Sequence, residues 1–267
     1  MGSAKKNRYV ALLEWVFARY YFEGATVVLW SREDLEKAAV ELGIELPKNL
    51  GDLVYSFRYR SELPQSITEK ALDGCEWVIR GKGHGKYAFE MIKAQVRIKP
   101  NSSLMRTKLP DSTPEIIAAS ALGDEQALLA LVRYNRLIDT FLGVTAYSLQ
   151  NHLRTTATGI GQVEVDEIYV AVDAAGRQFV IPVQAKGGKD EIGITQAEQD
   201  LVVCAQKWPN MITRPVAAQF ASDGLIALFE LDLQDGEMRV RHEAHYQLVP
   251  AQNISSEDLA IYRRDYV

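Results

Sequence analysis

In the amino-terminal part of the chain, apolar residues recur first with helical spacing and then with strand spacing. Over residues 8–22 they fall every three or four positions, which predicts an α-helix with one buried face. Ser31 suits a helix N-cap, with Asp34 three residues later as the acid of a capping box, and Gly43 suits the C-cap of that second helix. A third helix is predicted over residues 50–60.

A basic, glycine-rich loop follows, between predicted strands at residues 77–80 and 87–92. Residues 81–86 read Gly-Lys-Gly-His-Gly-Lys, which lacks the spacing of a phosphate-binding loop and does not open a helix, so no nucleotide cofactor is expected. Three helices and such a hairpin resemble a winged helix-turn-helix, whose third helix enters the major groove of DNA. The alternative is a small helical domain that only packs on the rest of the chain.

Charge is distributed unevenly. Residues 1–110 hold 18 Lys and Arg against 13 Asp and Glu, a net charge of +5, whereas residues 111–267 carry a net charge of −10. A basic first part suits nucleic-acid binding, and an acidic remainder suits the handling of cations. The basic residues predicted to contact DNA are Arg58, Arg60, Arg80, Lys82 and Lys86.

The chain is predicted to form two domains, residues 1–95 and 113–267, joined by a connection at residues 96–112 that is rich in proline and small polar residues. The second domain opens with helical spacing as far as about residue 141. Residues 161–172 and 177–186 then change to strand spacing around the turn Asp173-Ala-Ala-Gly176, which predicts an antiparallel hairpin.

The register of this hairpin decides which of its polar side chains meet. If the turn centres on Ala175, the numbers of paired residues sum to 350, so that Asp166 lies opposite Gln184 and Glu164 opposite Lys186, all on one face. Adjacent carboxylates repel unless a cation joins them, and Asp, Glu and amide oxygens are ligands that Mg²⁺ prefers. The alternative is a solvated strand face with one Glu–Lys pair, but the flanking residues are apolar, which favours a buried hairpin.

The pair of motifs Glu164-Val-Asp166 and Gln184-Ala-Lys186 resembles the PD-(D/E)xK nuclease superfamily, and most closely its Mrr-like restriction-endonuclease branch, in which glutamine replaces the acid of the second motif. The resemblance implies a core of helix, three strands, helix and strand, with a strand near residues 147–154, a helix near 194–207 and a strand near 212–221. The implied fold class is α+β or α/β: a winged helix-turn-helix followed by a restriction-endonuclease-like core, with a mixed central sheet flanked by helices.

The resemblance also implies roles for individual residues. Asp166 would be the principal metal ligand, Gln184 a second ligand, and Lys186 the residue that positions the attacking water. Because Gln184 carries no charge, Glu164, or Glu125 on the preceding helix, would supply a further acid.

Polar residues just before the acidic strand, at His152 and Arg154, could hold the phosphodiester or form an ordinary polar loop. The expected activity is that of a Mg²⁺-dependent DNA endonuclease of the restriction or phage-defence type, with Mn²⁺ able to substitute. It would act on double-stranded DNA as a homodimer, because cutting a duplex needs two sites.

Two other functions stay open. One is a catalytically inactive winged-helix DNA-binding regulator that retains a nuclease-like fold, and the uncharged Gln184 favours it. The other is an RNA-processing or repair nuclease with the same core. Cys75 and Cys204 are too few and too far apart in sequence for a disulfide framework or a zinc site, which suits a reducing, cytoplasmic setting. The most apolar early stretch carries Arg19 and Glu23 and is too short to span a bilayer, so no membrane association is expected.

Overall fold

The computed structural model describes residues 2–46, 50–59, 61–93, 98–120, 125–187, 192–221, 223–234 and 237–264. The chain divides into two units. The first comprises residues 1–96, 155–163 and 193–199, and the second comprises residues 97–154, 164–192 and 200–267. The division is therefore not a single cut in the sequence, because two later segments belong to the first unit.

The first unit packs helices on a small antiparallel sheet. Its elements in chain order are α1 (Gly2–Tyr20), β1 (Val27–Ser31), α2 (Arg32–Leu42), α3 (Leu50–Tyr59), α4 (Gln65–Thr68), β2 (Cys75–Gly81) and β3 (Lys86–Lys93). The three strands lie in the order β1-β3-β2. The three predicted helices and the β2–β3 hairpin are present, and the capping box forms, with the Ser31 N–H donating to the Asp34 carboxylate at 2.8 Å.

The sequence analysis assigned no strand to residues 27–31. These residues form β1, which pairs with β3 from Val27↔Glu90 to Ser31↔Lys86. Val27 and Leu29 are exposed while Val28 and Trp30 are buried, so β1 does alternate as a strand should. The alternation is hidden in the sequence because the exposed positions of β1 are also apolar.

The second unit is built on a mixed sheet of eight strands flanked by helices, as predicted. Its elements are β4 (Arg106–Pro110), α5 (Glu115–Ser120), α6 (Glu125–Tyr134), α7 (Leu137–Leu142), β5 (Thr145–Ala157), β6 (Gly161–Val172), β7 (Gln178–Gly187), α8 (Ile194–Lys207), β8 (Ile212–Thr213), β9 (Val216–Phe220), β10 (Leu225–Gln234), β11 (Glu237–Val249) and α9 (Ser256–Arg264). The strand order is β4-β11-β10-β9-β7-β6-β5, with β8 beside β7. Parts of β5, β6 and α8 belong to the first unit.

The predicted register of the β6–β7 hairpin is confirmed. Its antiparallel pairs run from Val172↔Gln178 to Glu167↔Val183, and the numbers of each pair sum to 350. Beyond Val183, β7 continues as a parallel partner of β9, from Val183↔Val216 to Gly187↔Phe220. The last residues of β7 are therefore held by β9 at the point where the described pairing with β6 ends.

One strand lies in the predicted interdomain connection. Residues 106–110 form β4, which pairs in parallel with β11 at the edge of the large sheet. The Lys108 N–H donates to Tyr262 Oη at 2.9 Å, and Lys108 Nζ bonds Asp258 at 2.9 Å, so α9 helps to hold this edge. Proline-rich composition indicated a linker, but an edge strand tolerates Pro110 at its end because one side of it needs no ladder partner.

β7 is buried on both faces. Phe179, Ile181, Val183 and Ala185 pack into a core with residues of α6 and α7. Because strand side chains alternate, Gln184 and Lys186 face the opposite side of the sheet.

None of the described helices has both the length and the apolar character that a membrane span requires.

Candidate functional site

Asp166 lies where the described β6–β7 ladder ends. Its carboxylate accepts a hydrogen bond from the backbone N–H of Ala185 at 3.0 Å, in place of a further backbone pair. Burial raises the pKa of Asp166, and the nearby charge of Glu164 adds to that rise, while the Ala185 N–H and the Lys186 charge oppose it. The sequence has thus placed a carboxylate in a partly dehydrated position where its negative charge is costly.

Gln184 and Lys186 share the face predicted for them. Gln184 is 1% exposed, and its Oε1 atom has no hydrogen-bond donor among the described residues. Lys186 is 9% exposed, and its Nζ lies 3.9 Å from Oε1 of Glu125, the first residue of α6. An unsatisfied buried acceptor costs free energy unless something else satisfies it.

Asp200, on α8, is a member of this cluster that the sequence analysis missed. It is 1% exposed, and neither of its carboxylate oxygens has a hydrogen-bond partner in the part of the chain that is described. Burial raises the pKa of Asp200 well above its usual value, and the charge of Asp166 raises it further, while the charge of Lys186 lowers it. Asp200 is therefore within electrostatic reach of both motif residues.

The position of Asp200 in α8 could have drawn attention to it. Ala197, Val203 and Cys204, at the i−3, i+3 and i+4 positions, are all buried, so Asp200 lies on the apolar face of the helix. The sequence hides this signal because Gln196 and Gln199, although buried, are polar residues. The buried face of α8 therefore cannot be distinguished from a solvent-exposed face by residue type.

Glu164 is engaged with β5. Its Oε1 lies 3.2 Å from Nδ1 of His152 and its Oε2 lies 3.2 Å from Nε of Arg154. The ion pair described for Lys186 is with Glu125, so the predicted pairing of Glu164 with Lys186 is replaced by these contacts. His152 has a φ of 48°, in the left-handed region that non-glycine residues seldom adopt, which turns β5 locally at this point.

The other face of β6 carries a separate polar group. Glu167 is fully buried, and its carboxylate accepts hydrogen bonds from Arg133 Nε at 2.9 Å and from Ser148 Oγ at 2.5 Å. A cavity of about 270 Å³ lies beside it, lined by Tyr147 and Tyr169 among other residues. Alternation along β6 directs Glu167 away from Asp166, so this group is distinct from the site.

The basic residues predicted to contact DNA differ in their ion pairs and in their exposure. Arg80 forms ion pairs with Glu90 and Glu198 at 3.3 and 2.7 Å, and Lys82 pairs with Glu90 at 2.5 Å. Lys86 is exposed.

The two remaining basic residues differ again. A guanidinium nitrogen of Arg58 would lie 3.7 Å from a Cβ placed on Gly81, and Arg60 lies outside the described residues. Since Arg80 and Lys82 are bound to carboxylates, Lys86 is the freest of the described residues in this set to meet a phosphate.

The glycine-rich hairpin loop packs against the β5–β6 turn within the first unit. A Cβ on Gly81 would lie 2.0 Å from the backbone oxygen of Ile160, and one on Gly161 would lie 3.1 Å from the backbone oxygen of Gly83. Only glycine allows two backbones to approach so closely. The β2–β3 hairpin is therefore held at its loop end.

The described residues include no group of three or more His, Cys, Asp or Glu side chains that could hold a metal ion together. The amide oxygen of Gln184 lies outside that set of residue types, so the site combines the half-buried carboxylate of Asp166 and the buried carboxylate of Asp200 with an amide and a lysine. Comparison of the chain with family models, with curated proteins and with solved structures found no match.

Proposed function

We propose that the chain is a Mg²⁺-dependent endonuclease of double-stranded DNA, of the restriction or phage-defence type, for which Mn²⁺ can substitute. The observation that carries the proposal is the grouping of Asp166, Gln184 and Lys186 at the end of the β6–β7 ladder, with Glu125 beside the lysine. The order of α7, β5, β6, β7, α8 and β9 supports it, because it matches the order helix, three strands, helix and strand that the resemblance to PD-(D/E)xK nucleases implies.

The donor set fits a hard divalent cation. Asp166 and the amide oxygen of Gln184 would hold it, since the Gln184 Oε1 has no donor among the described residues and Asp166 is costly to ionise where it lies. A bound cation would supply Lewis-acid polarisation of the scissile phosphate and lower the pKa of a bound water.

The side chains of the chain would do the positioning. Lys186 is held near Glu125 by opposite charge, so its ammonium can orient a water for attack on the phosphorus. Arg154, whose side chain is 70% exposed, has N–H groups available for a phosphate oxygen even while it pairs with Glu164. His152 would support the same phosphate from the turned part of β5.

The first unit would bind the duplex. The order α1, β1, α2, α3, β2 and β3 supports a winged helix-turn-helix, with α3 for the major groove and the β2–β3 hairpin as the wing. The net charge of +5 on residues 1–110 supports attraction to the DNA backbone. A homodimer would supply a second site for the second strand.

The test is cleavage of plasmid and phage DNA with Mg²⁺ or Mn²⁺ by the wild type, Asp166→Asn, Lys186→Ala and the control Asp73→Asn. Asp73 is exposed and belongs to the first unit, so its variant makes the same change of charge as Asp166→Asn without altering a residue of the site. We expect discrete fragments from the wild type and the control, and a loss of at least about 100-fold in rate in the other two variants. Equal cleavage by all four proteins would remove the assignment of the site.

The second candidate is a DNA-binding regulator with an inactive nuclease-like domain. It is favoured by the missing charge at Gln184 and by the absence, among the described residues, of three metal-ligating acids or histidines in one group. Binding of duplex DNA with no cleavage of methylated or unmethylated substrates would establish it. Competition among duplex DNA, single strands and RNA in the same assay separates both functions from an RNA-processing or repair nuclease.

A further inference from the structure

We propose that Asp200 is a further carboxylate of the cation site, and that it supplies the negative charge that Gln184 does not. This inference rests on the proposed function. It adds to the site a residue of α8, which lies outside the two strand motifs.

The first argument is the burial of Asp200 without partners. A buried carboxylate in a protein is normally paired or hydrogen-bonded, because its dehydration otherwise costs several kcal/mol. Both Asp200 oxygens lack a hydrogen-bond partner among the described residues, and its buried helix neighbours Ala197, Val203 and Cys204 offer it no ionic partner. Asn or an apolar residue would be the cheaper choice at this position, so the carboxylate calls for a ligand.

The second argument is the position of Asp200 relative to the motif residues. The charge of Asp166 acts on Asp200, and the opposite charge of Lys186 acts on both acids, so the three groups lie near one another in the second unit. Both Asp200 oxygens and the Gln184 Oε1, on the same face of β7 as Lys186, lack a hydrogen-bond donor among the described residues. A divalent cation would satisfy such oxygens together with Asp166.

The third argument is the charge balance. Asp166, Gln184 and Lys186 together carry no net charge, which gives poor attraction for a divalent ion. Glu125 lies beside Lys186 and offsets its charge. Adding Asp200 gives the group two carboxylates and one amide, a donor set that matches the preference of Mg²⁺ and Mn²⁺ for oxygen ligands.

The experiment is titration of the DNA-free protein with Mn²⁺, followed by calorimetry and by the electron paramagnetic resonance signal of free Mn²⁺. The proteins are the wild type, Asp200→Asn, Asp166→Asn and the control Asp73→Asn. We expect one Asp166-dependent site in the wild type and the control, and a rise of about tenfold or more in the Mn²⁺ dissociation constant of Asp200→Asn.

Thermal unfolding without metal gives a second readout. Asp200→Asn removes an unpartnered buried acid, so its unfolding temperature without metal should equal or exceed that of the wild type, while its gain on adding Mn²⁺ should be smaller. If circular dichroism shows that Asp200→Asn does not fold, the Asp200→Ser variant, which removes the same charge, is used in its place.

The outcomes separate the two proposals. Wild-type affinity for Mn²⁺ in Asp200→Asn, with binding lost in Asp166→Asn, overturns the role of Asp200 and leaves the proposed function standing. A lower unfolding temperature with unchanged Mn²⁺ affinity assigns Asp200 a structural role and also overturns it. Absence of Mn²⁺ binding by the wild type overturns the metal-dependent function, and the role of Asp200 with it.

Discussion

Asp34 shows how one buried carboxylate can both begin a helix and tie it to its neighbours. It accepts hydrogen bonds from the Ser31 N–H and Oγ, from Tyr20 Oη and from Lys37 Nζ, all between 2.8 and 3.0 Å. Burial alone would raise the pKa of Asp34, but the bonds from Lys37, Ser31 and Tyr20 lower it from 3.8 to about 2. The ionised form is therefore favoured in the folded protein.

Replacing Asp34 should weaken the protein in a pH-dependent way. The pKa is lower in the folded than in the unfolded chain, so the stabilisation is complete above about pH 4 and is lost as the pH falls through 2. We expect Asp34→Asn to lower the free energy of unfolding by about 1–2 kcal/mol at pH 7 and by less at pH 3, in urea titrations. Glu36→Gln, exposed on the same helix, is the control, and an equal loss in that variant would contradict the explanation.

The residues of the site were predictable to different degrees. Asp166, Gln184 and Lys186 follow from strand alternation together with a turn that sets the register, because both rules are local. Asp200 does not follow, since it comes from a helix whose orientation depends on packing that no local rule contains. The partners of Glu164 were also missed, because they lie on β5, whose register against β6 no short turn motif identified.

At the scale of elements, the contact of Gly81 with Ile160 makes the end of β2 a sensitive point. Gly81→Ala should destabilise the protein by about 1–3 kcal/mol, because a Cβ would lie 2.0 Å from a backbone oxygen that cannot move like a side chain. The measurement is the midpoint of urea unfolding.

Gly187→Ala is the matched control for Gly81→Ala, since Gly187 also ends a strand and has open space where the Cβ would be. An equal effect in both variants would show that backbone entropy, and not the contact with Ile160, governs the result.

Most of the expected elements are present, including the edge strands β2 and β5, but the edge strands β1 and β4 were not predicted. α8 begins and ends at the predicted residues 194 and 207, and the β6–β7 pairing has the predicted register. β1 and β4 are short strands at sheet edges, and each has a single neighbour in its sheet. One edge of each strand has no neighbouring strand, so short edge strands carry residue types that also occur in loops. Their sequences therefore do not distinguish them from loops.

At the scale of the whole molecule, the first unit is not the contiguous segment that composition indicated. Its core, which includes Phe17, Trp77 and Phe89, comes from residues 9–89, but residues 155–163 and 193–199 also belong to it. Composition could not reveal this, because no proline-rich stretch marks where residues 155–163 and 193–199 join the first unit.

A fragment of residues 1–95 should therefore fold and yet be less stable than the same unit in the full chain. It keeps its core but loses the contact of Gly81 with Ile160 and the ion pair of Arg80 with Glu198. We expect its unfolding temperature to fall by at least about 4 °C. Tryptophan fluorescence measures this in a Trp208→Phe background, because the other three tryptophans are Trp15, Trp30 and Trp77. Equal temperatures for fragment and full chain would contradict the expectation.

The parallel pairing of β4 with β11 has a consequence for synthesis on the ribosome. β4 ends at residue 110, and its partner is complete only at residue 249, so at about 5–20 residues per second β4 waits roughly 7–28 s for it. Asp166, Gln184, Lys186 and Asp200 all emerge within that interval. The nascent chain therefore holds every residue of the proposed cation site before the sheet that supports it can close.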